Sequence, residues 1–308
     1  MRNHVIDALL KFSEIDNRTF LVTADLGFNV VEKFQQRFPD RYLNVGIAEQ
    51  NMCSVAAGLG LDGYMAFTYS IGNFPTLRGI EQIRNNICYH NANVKILSVG
   101  GGFAYGDLGM THHATEDIAM MRALPNMRVY VPSDEVDAVA CFNDAVSFDG
   151  PAFIRMARGR EAVFHDVEDQ IEPSKLQRYS AMGSDVNIIT CGTLLGEGKK
   201  LQKLFQEKGI SAGVYSVLRV KPLCATDIKE LALKSKMLIT MEEHNIIGGF
   251  GSAVAEVLSE LQEIHAVLYR AGLQDTYTSK IGSQEYLREY YSISADRVFA
   301  HVMENYDL

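Results

Sequence analysis

The sequence predicts an α/β fold made of two doubly wound parallel sheets in succession. Three observations carry this. Short apolar runs alternate with segments of helical spacing over residues 19–158 and again over 186–272. The glycine-rich and polar stretches follow directly after the apolar runs. A polar stretch with little periodicity, HDVEDQIEPSKLQRYSAMGSD at 165–185, divides the two series. Strands alternating with helices imply parallel sheets covered on both faces. A length of 308 residues suits two domains of ordinary size. We expect one domain over residues 1–165, a linker over 166–185 and a second domain over 186–308.

Taken in order, MRNHVIDALLKFSEID (1–16) carries Val5, Ile6, Leu9, Leu10 and Phe12 at helical spacing. TFLVTAD (19–25) reads as a buried strand that ends on an acid, and 31–39 as a helix. RYLNVG (41–46) is a short strand, and AEQNMCSVAAGLGL (48–61) a small-residue helix. YMAFTYS (64–70) is a strand and TLRGIEQIRNNICYH (76–90) a helix. VKILSVGG (94–101) is a strand that runs into glycines. A helix at 116–124, a strand at 127–133, a helix at 134–147 and the strand AFIRMAR (152–158) complete the first series. The second series has strands at 186–192, 211–218, 236–243 and 265–272, with helices at 195–208, 226–234 and 250–263. In open parallel sheets, ligands bind outside the carboxyl ends of the strands. The segments at 25–29, 44–49, 70–74 and 100–112 all follow strands, so they are expected to gather along one edge.

Composition narrows the function classes. Hydrophobic residues make up 47% and charged residues 22%, which is globular and excludes a disordered or coiled-coil chain. The net charge is 29 − 38 = −9 with no long basic run, which argues against nucleic acid or an anionic membrane as partner. No run of 18 uncharged apolar residues and no signal-type apolar core occur. Five scattered cysteines (53, 88, 141, 191 and 224) without a C-x-x-C pair fit a reducing compartment. A cytoplasmic protein is expected.

Three segments offer chemistry. Glu49, in GIAEQNM (46–52), sits at a strand-to-helix junction. It is either a first-turn carboxylate favoured by the helix dipole or a group that fixes a cofactor nitrogen in one protonation state. GGGFAYGDLGMTHHATED (100–117) is the densest stretch, with Asp107, His112 and His113 among glycines. Long loops in compact domains tend to be functional. A metal is not expected, because no spaced His or Cys partner follows the histidine pair. EEHNIIGGFGS (242–252) has glycines at a strand-to-helix turn, but neither phosphate-loop spacing is met. Close packing or an interface is the favoured reading there. Spacing alone leaves two classes open: an enzyme, or a subunit that scaffolds another chain.

The residues themselves go further. VTADLG (22–27), VGIAEQNM (45–52), EQIRNNI (81–87), GDLGMTHHATEDIAMMRALPNMRVYVPSD (106–134) and EEHNIIGGFGS (242–252) resemble the C-terminal half of a transketolase. The resemblance runs through nearly the whole chain. Its order implies a thiamine-diphosphate pyrimidine-binding domain, a linker, and a transketolase C-terminal domain. It implies thiamine diphosphate as cofactor, with Glu49 on the far nitrogen of the aminopyrimidine, where a carboxylate favours the imino form. The cofactor carries the hard chemistry while the protein positions and tunes it. Phe74 resembles the stacking phenylalanine of the family, with Gly72-Asn73 as a short insertion beside it. Leu77 and Ile80 replace further aromatics. Asp25 and Leu26 match the ADL segment near the cofactor. His112 matches the histidine that meets donor-sugar hydroxyls, and Asp107 in the same loop is expected to bind substrate as well. Arg158 matches the arginine that grips the sugar phosphate, and Arg2 a second one. Arginine suits such an anion.

Two departures touch the acceptor side. Leu108 stands where the family places an aspartate against an acceptor hydroxyl, and Gly100 where it places a histidine. The G-D-G…N motif that holds the diphosphate through Mg²⁺ lies in the other half of a full-length transketolase and is not found here; FDGP (148–151) lacks the first glycine. The resemblance therefore implies the C-terminal subunit of a split transketolase. A separate N-terminal subunit would bring the diphosphate and Mg²⁺, and this chain would self-associate as a dimer within an α2β2 assembly. The implied reaction moves a two-carbon ketol unit from a ketose phosphate to an aldehyde. The alternatives are a subunit similar to 1-deoxyxylulose-5-phosphate synthase or to the beta chain of 2-oxo-acid dehydrogenases, or a non-catalytic assembly subunit. ATEDIAMMRALPNM (114–127) favours the split transketolases, and the presence of Glu49 and His112 argues against a scaffold.

Overall fold

A computed structural model describes residues 1–159, 162–165, 170–263 and 266–308. Residues 166–169 of the expected linker and His265, where the last strand was expected to begin, lie outside the described residues. The first series gives β1 (Thr19–Thr23), β2 (Tyr42–Asn44), β3 (Met65–Ile71), β4 (Val94–Val99), β5 (Arg128–Tyr130) and β6 (Ala152–Met156). Then come β7 (Leu176–Arg178), β8 (Val186–Cys191), β9 (Ala212–Val217), β10 (Arg219–Lys221), β11 (Met237–Asn245) and β12 (Val267–Leu273). The helices are α1 (Arg2–Ile15), α2 (Glu32–Arg37), α3 (Glu49–Leu61), α4 (Gly79–Gln82), α5 (Asp117–Ala123), α6 (Glu135–Val146), α7 (Leu195–Gln206), α8 (Ala225–Lys234), α9 (Phe250–Ser259), α10 (Gln284–Tyr290) and α11 (Ala295–Asn305).

Among the described residues the strands form two sheets, ordered β10-β5-β6-β4-β3-β1-β2 and β12-β11-β8-β9-β7. Both are parallel except at one edge, where β10 pairs antiparallel with β5 and β7 pairs antiparallel with β9. The central strands β3, β4, β6, β8 and β9 are buried almost throughout, which is why they read as continuous apolar runs. In the first sheet the chain steps from β1 outward to β2 and then returns to β3 on the other side of β1. That reversal marks the switch point, and the rule for doubly wound sheets puts a ligand crevice at the carboxyl ends of β1 and β3.

Three features differ from the expectations. The linker stretch contributes β7, a three-residue edge strand whose Leu176 and Arg178 pair with Val217 and Tyr215. The strand β10, from the second series, completes the first sheet. Neither is long enough to show a period. The helix expected at 76–90 is a short α4 between two π-helical turns, Phe74–Arg78 and Ile83–Cys88. Pro75 removes a backbone donor at the first of these turns, and such widened turns recur at functional sites. The two series share a core: Val22, Met52, Ile96 and Ile118 belong to the same buried apolar cluster as Ile189, Val217, Leu238 and Phe250.

Candidate active site

Glu49 opens α3, just after a turn in which Gly46 takes φ +74° and Ala48 N–H donates to Gly46 C=O at 2.7 Å. The side chain is 2% exposed, although carboxylates are rarely buried without a partner. Its partner is Arg78, whose Nη1 donates to Oε2 at 2.7 Å. Arg78 ends the first π-helical turn, and a Cβ placed on Gly79 would lie 3.0 Å from Cys53 Sγ. The missing side chain lets α4 come close to α3, which brings Arg78 within reach of Glu49.

The guanidinium of Arg78 also lies 5.1 Å from the centre of the Phe74 ring. Phe74 also meets His112 edge-on, with ring centroids 5.3 Å apart. Asn73 is buried and locks this meeting: its amide donates to the carbonyls of Thr111 at 3.2 Å and His113 at 2.7 Å. The loop that carries His112 closes on itself, Gly102 and Ala114 exchanging both backbone hydrogen bonds. Within it, His112 lies 6.2 Å from the Tyr105 ring, and Thr111 Oγ1 is 3.1 Å from His112 Nδ1. Arg158 follows β6, sits 4.9 Å over Tyr105 and reaches Asp107 Oδ1 at 3.5 Å. Arg2 and Arg158 line one cavity of about 650 Å³, with Ala104, Glu135 and Gln284. Two arginines at one cavity make it suited to an anion.

Glu49, Phe74, His112, Asp107 and Arg158 thus form one run of contacts, with Arg78 and Tyr105 as its connecting members. Asp25 and Leu26 stand separately, at the carboxyl end of β1. Asp25 adopts φ +55°, and the Asn44 side chain holds it there. Asn44 Oδ1 accepts from Asp25 N–H at 2.9 Å and from Gly46 N–H at 3.0 Å, while its Nδ2 donates to Asp25 Oδ1 at 3.3 Å. Sequence reasoning missed Arg78, Asn73, Asn44 and Tyr105. Arg78 lies one helical turn after Phe74, which was the available signal. Asn73 read as an insertion.

The departure at Gly100 has a steric reason. Gly100 adopts φ +95°, and a Cβ there would fall 2.2 Å from the Tyr105 ring. A side chain at position 100 and Tyr105 in this place exclude each other. Leu108 is half exposed at the rim. The glycine turn at 248–251 is not an anion site: Glu242 accepts from Phe250 N–H at 2.6 Å and Gly251 N–H at 2.8 Å, so the chain's own carboxylate occupies the start of α9. Burial pushes the Glu242 carboxyl up to about 7, against the pull of those two amides. Close packing or an interface is the reading the sequence favours for this turn.

Residues 1–161 match the family model described as the transketolase pyrimidine-binding domain, and residues 175–298 the transketolase C-terminal domain. A putative transketolase C-terminal section of Methanocaldococcus jannaschii is 33% identical over 99% of this chain and 95% of its own length. The 6-deoxy-6-sulfo-D-fructose transketolase subunit SqwH of Clostridium sp. (strain MSTE9) is 34% identical over 97% of this chain and 92% of its own. A solved structure described as a split gene transketolase, inactive beta4 tetramer, superposes with a TM-score of 0.88 at 34% identity, over 98% of this chain and 97% of that one. The fold and these matches agree: the chain belongs to the transketolase family and carries its pyrimidine-binding and C-terminal domains.

Proposed function

We propose that this chain is the pyrimidine-side subunit of a two-chain transketolase, which moves a two-carbon ketol unit from a ketose phosphate to an aldehyde. The observation that carries the reading is the buried Glu49 joined through Arg78 to the Phe74 ring at a sheet switch point, with His112 next to that ring and two arginines at the adjoining cavity. The pair fits thiamine diphosphate. A planar nitrogen group, the Arg78 guanidinium, already lies against Phe74 and bonds to Glu49, so a planar nitrogen heterocycle suits the same two partners. When bound, thiamine diphosphate would supply an acidic C–H whose conjugate base is a carbon nucleophile, together with an electron sink.

This chain's residues do the rest. Glu49 holds a proton at the far ring nitrogen of the pyrimidine. Phe74 gives the ring a face, and Asp25 and Leu26 border it from β1. His112 binds donor hydroxyls and moves protons to and from them, a task for which an imidazole is suited near neutral pH. Arg158 and Arg2 take the terminal anion of the sugar. The name of the Clostridium relative refers to a sulfonated sugar, so phosphate and sulfonate donors are both candidates for this chain. The diphosphate and Mg²⁺ fall to a separate N-terminal subunit. Self-association as a dimer within an α2β2 assembly follows, in the cytoplasm. No helix among the described residues is long and apolar enough to cross a membrane.

The experiment is to co-express this chain with a candidate partner carrying a G-D-G…N motif. The purified pair is then assayed with thiamine diphosphate, Mg²⁺ and panels of ketose donors and aldehyde acceptors. Ketol transfer by the pair and none by either chain alone is expected. Full activity of this chain alone, or pyruvate decarboxylation in place of ketol transfer, overturns the reading.

A further inference from the structure

The second sheet has a switch point of its own. Its chain steps from β8 to β9 on one side and returns to β11 on the other, so a ligand crevice is expected at the carboxyl ends of β8 and β11. The protein's own groups meet at the ends of these strands, beside a cavity of about 340 Å³ that Thr193, Gln284 and Arg288 line. Thr193 follows β8, and Glu243 lies near the end of β11. Arg288 of α10 donates from Nε to Glu243 and from Nη2 to Thr193 Oγ1 at 2.9 Å. Gln284 donates to the same Glu243 carboxylate at 3.0 and 2.8 Å. The remaining donor comes from the other half of the molecule: Phe103 N–H reaches Glu243 Oε2 at 3.0 Å. Phe103 is fully buried, 5.8 Å from the Tyr291 ring. Gly102 beside it leaves no room for a side chain, since a Cβ there would lie 2.3 Å from Glu243 Oε2.

A second attachment lies close to His112. His113 is buried, with Nε2 3.2 Å from the Gly106 carbonyl and Nδ1 2.6 Å from Thr278 Oγ1. A carbonyl only accepts, so Nε2 carries the proton, and the bare Nδ1 accepts from the Thr278 hydroxyl. Burial lowers the pKa of His113, which agrees with this neutral form. Thr278 lies on the segment after β12, and Gly282 N–H from the same segment donates to Gly106 C=O at 3.1 Å. The backbone around His112 is thus gripped from the first sheet by Asn73 and from the carboxyl-terminal half by Thr278.

We propose that the carboxyl-terminal half binds the Gly100–Ala114 loop in its own ligand crevice, and that Thr278 and Glu243 are positioning residues that set His112. This inference rests on the functional reading above. It assigns the second half a task in donor recognition although none of its residues need touch the sugar.

The test uses Thr278→Val, which removes the hydroxyl and keeps the shape, and Thr278→Ser, which keeps the hydroxyl. In the assembled two-chain enzyme, Thr278→Val is expected to raise KM for the donor that the unmutated enzyme turns over roughly tenfold, the effect of one lost hydrogen bond. Affinity for thiamine diphosphate stays near its original value, and Thr278→Ser restores the donor KM. A purely structural role would lower kcat through lost folded protein and leave KM alone. In the full chain by itself, hydrogen exchange of the amides at 101–114 is expected to quicken in Thr278→Val and to stay slow in Thr278→Ser. Unchanged exchange overturns the anchoring, and quicker exchange with an unchanged donor KM overturns its role in recognition. If the unmutated pair transfers no ketol unit, the functional reading fails, while exchange still decides whether Thr278 holds the loop.

Discussion

At the scale of single residues, Glu49 is where burial and function meet. A carboxylate that is 2% exposed and bonded to one arginine is costly to keep unless the site uses it. Glu49→Gln preserves the shape and removes the charge. It is expected to cut ketol transfer by on the order of 10²–10⁴-fold, the usual range for a lost proton-handling group. Circular dichroism should show the fold intact; near-normal turnover would count against the role. Arg158→Ala should raise KM for phosphorylated donors roughly 10- to 100-fold, the effect of a charge-assisted hydrogen bond, and spare a donor without the anion. An equal loss with both donors would remove the anion contact. Away from this site, His165 Nδ1 lies 3.2 Å from Asp137 Oδ1 and 3.5 Å from Asp134 Oδ2. Burial works to lower its pKa, but the two carboxylates outweigh it and raise the group to about 10. The folded chain therefore favours protonated His165. Its contribution to stability is complete below the ordinary histidine value of about 6.5 and fades as pH rises through about 10. The gap in Tm between the unmutated chain and His165→Gln should shrink across that window; a gap that widens would contradict the ion-pair account.

At the scale of elements, the active-site edge is built from turns rather than from helices or strands. Asn44 ties the turn after β1 to the turn before α3, with one side-chain oxygen accepting from both Asp25 and Gly46. Asn44→Ala is expected to lower stability by about 1 kcal/mol in urea unfolding and to weaken thiamine diphosphate binding by the assembled enzyme. Unaltered cofactor affinity would show that the turn does not need this tie. The regular elements were legible because burial imposes a period. The continuous apolar runs at β1, β3, β4 and β8 follow from strands buried on both faces, and the helical spacing in α1 and α7 from one buried face. Glu49, Phe74 and His112 were legible through family wording, and the spacing around them left open whether they served a site at all. Arg78 showed only as a residue one helical turn after Phe74, and Asn73 was not legible because its partners Thr111 and His113 lie 38 and 40 residues along the chain. The Glu243 and Thr278 attachments were hidden for another reason. Each partner lies far along the chain, at separations of 140 and 165 residues, where no local pattern connects them.

At the scale of the whole molecule, the shared buried cluster and β10 make the two series one cooperative body. Val131 N–H donates to Leu218 C=O at 2.8 Å beside the β5–β10 pairing, and the Ser133 and Ser216 hydroxyls meet at 2.6 Å. A single thermal transition is expected in calorimetry, and two resolved transitions would refute that coupling. An amino-terminal fragment ending at residue 165 should expose both the cluster and the free edge of β5, and should aggregate. The three residues of β10 have a historical consequence as well. Gene fission is disfavoured where it uncovers a sheet edge that the intact chain pairs. A cut between these two halves would bare the β5 edge in one fragment and leave β10 without its sheet in the other, so recombination is expected to shuffle them together, as an inseparable cassette.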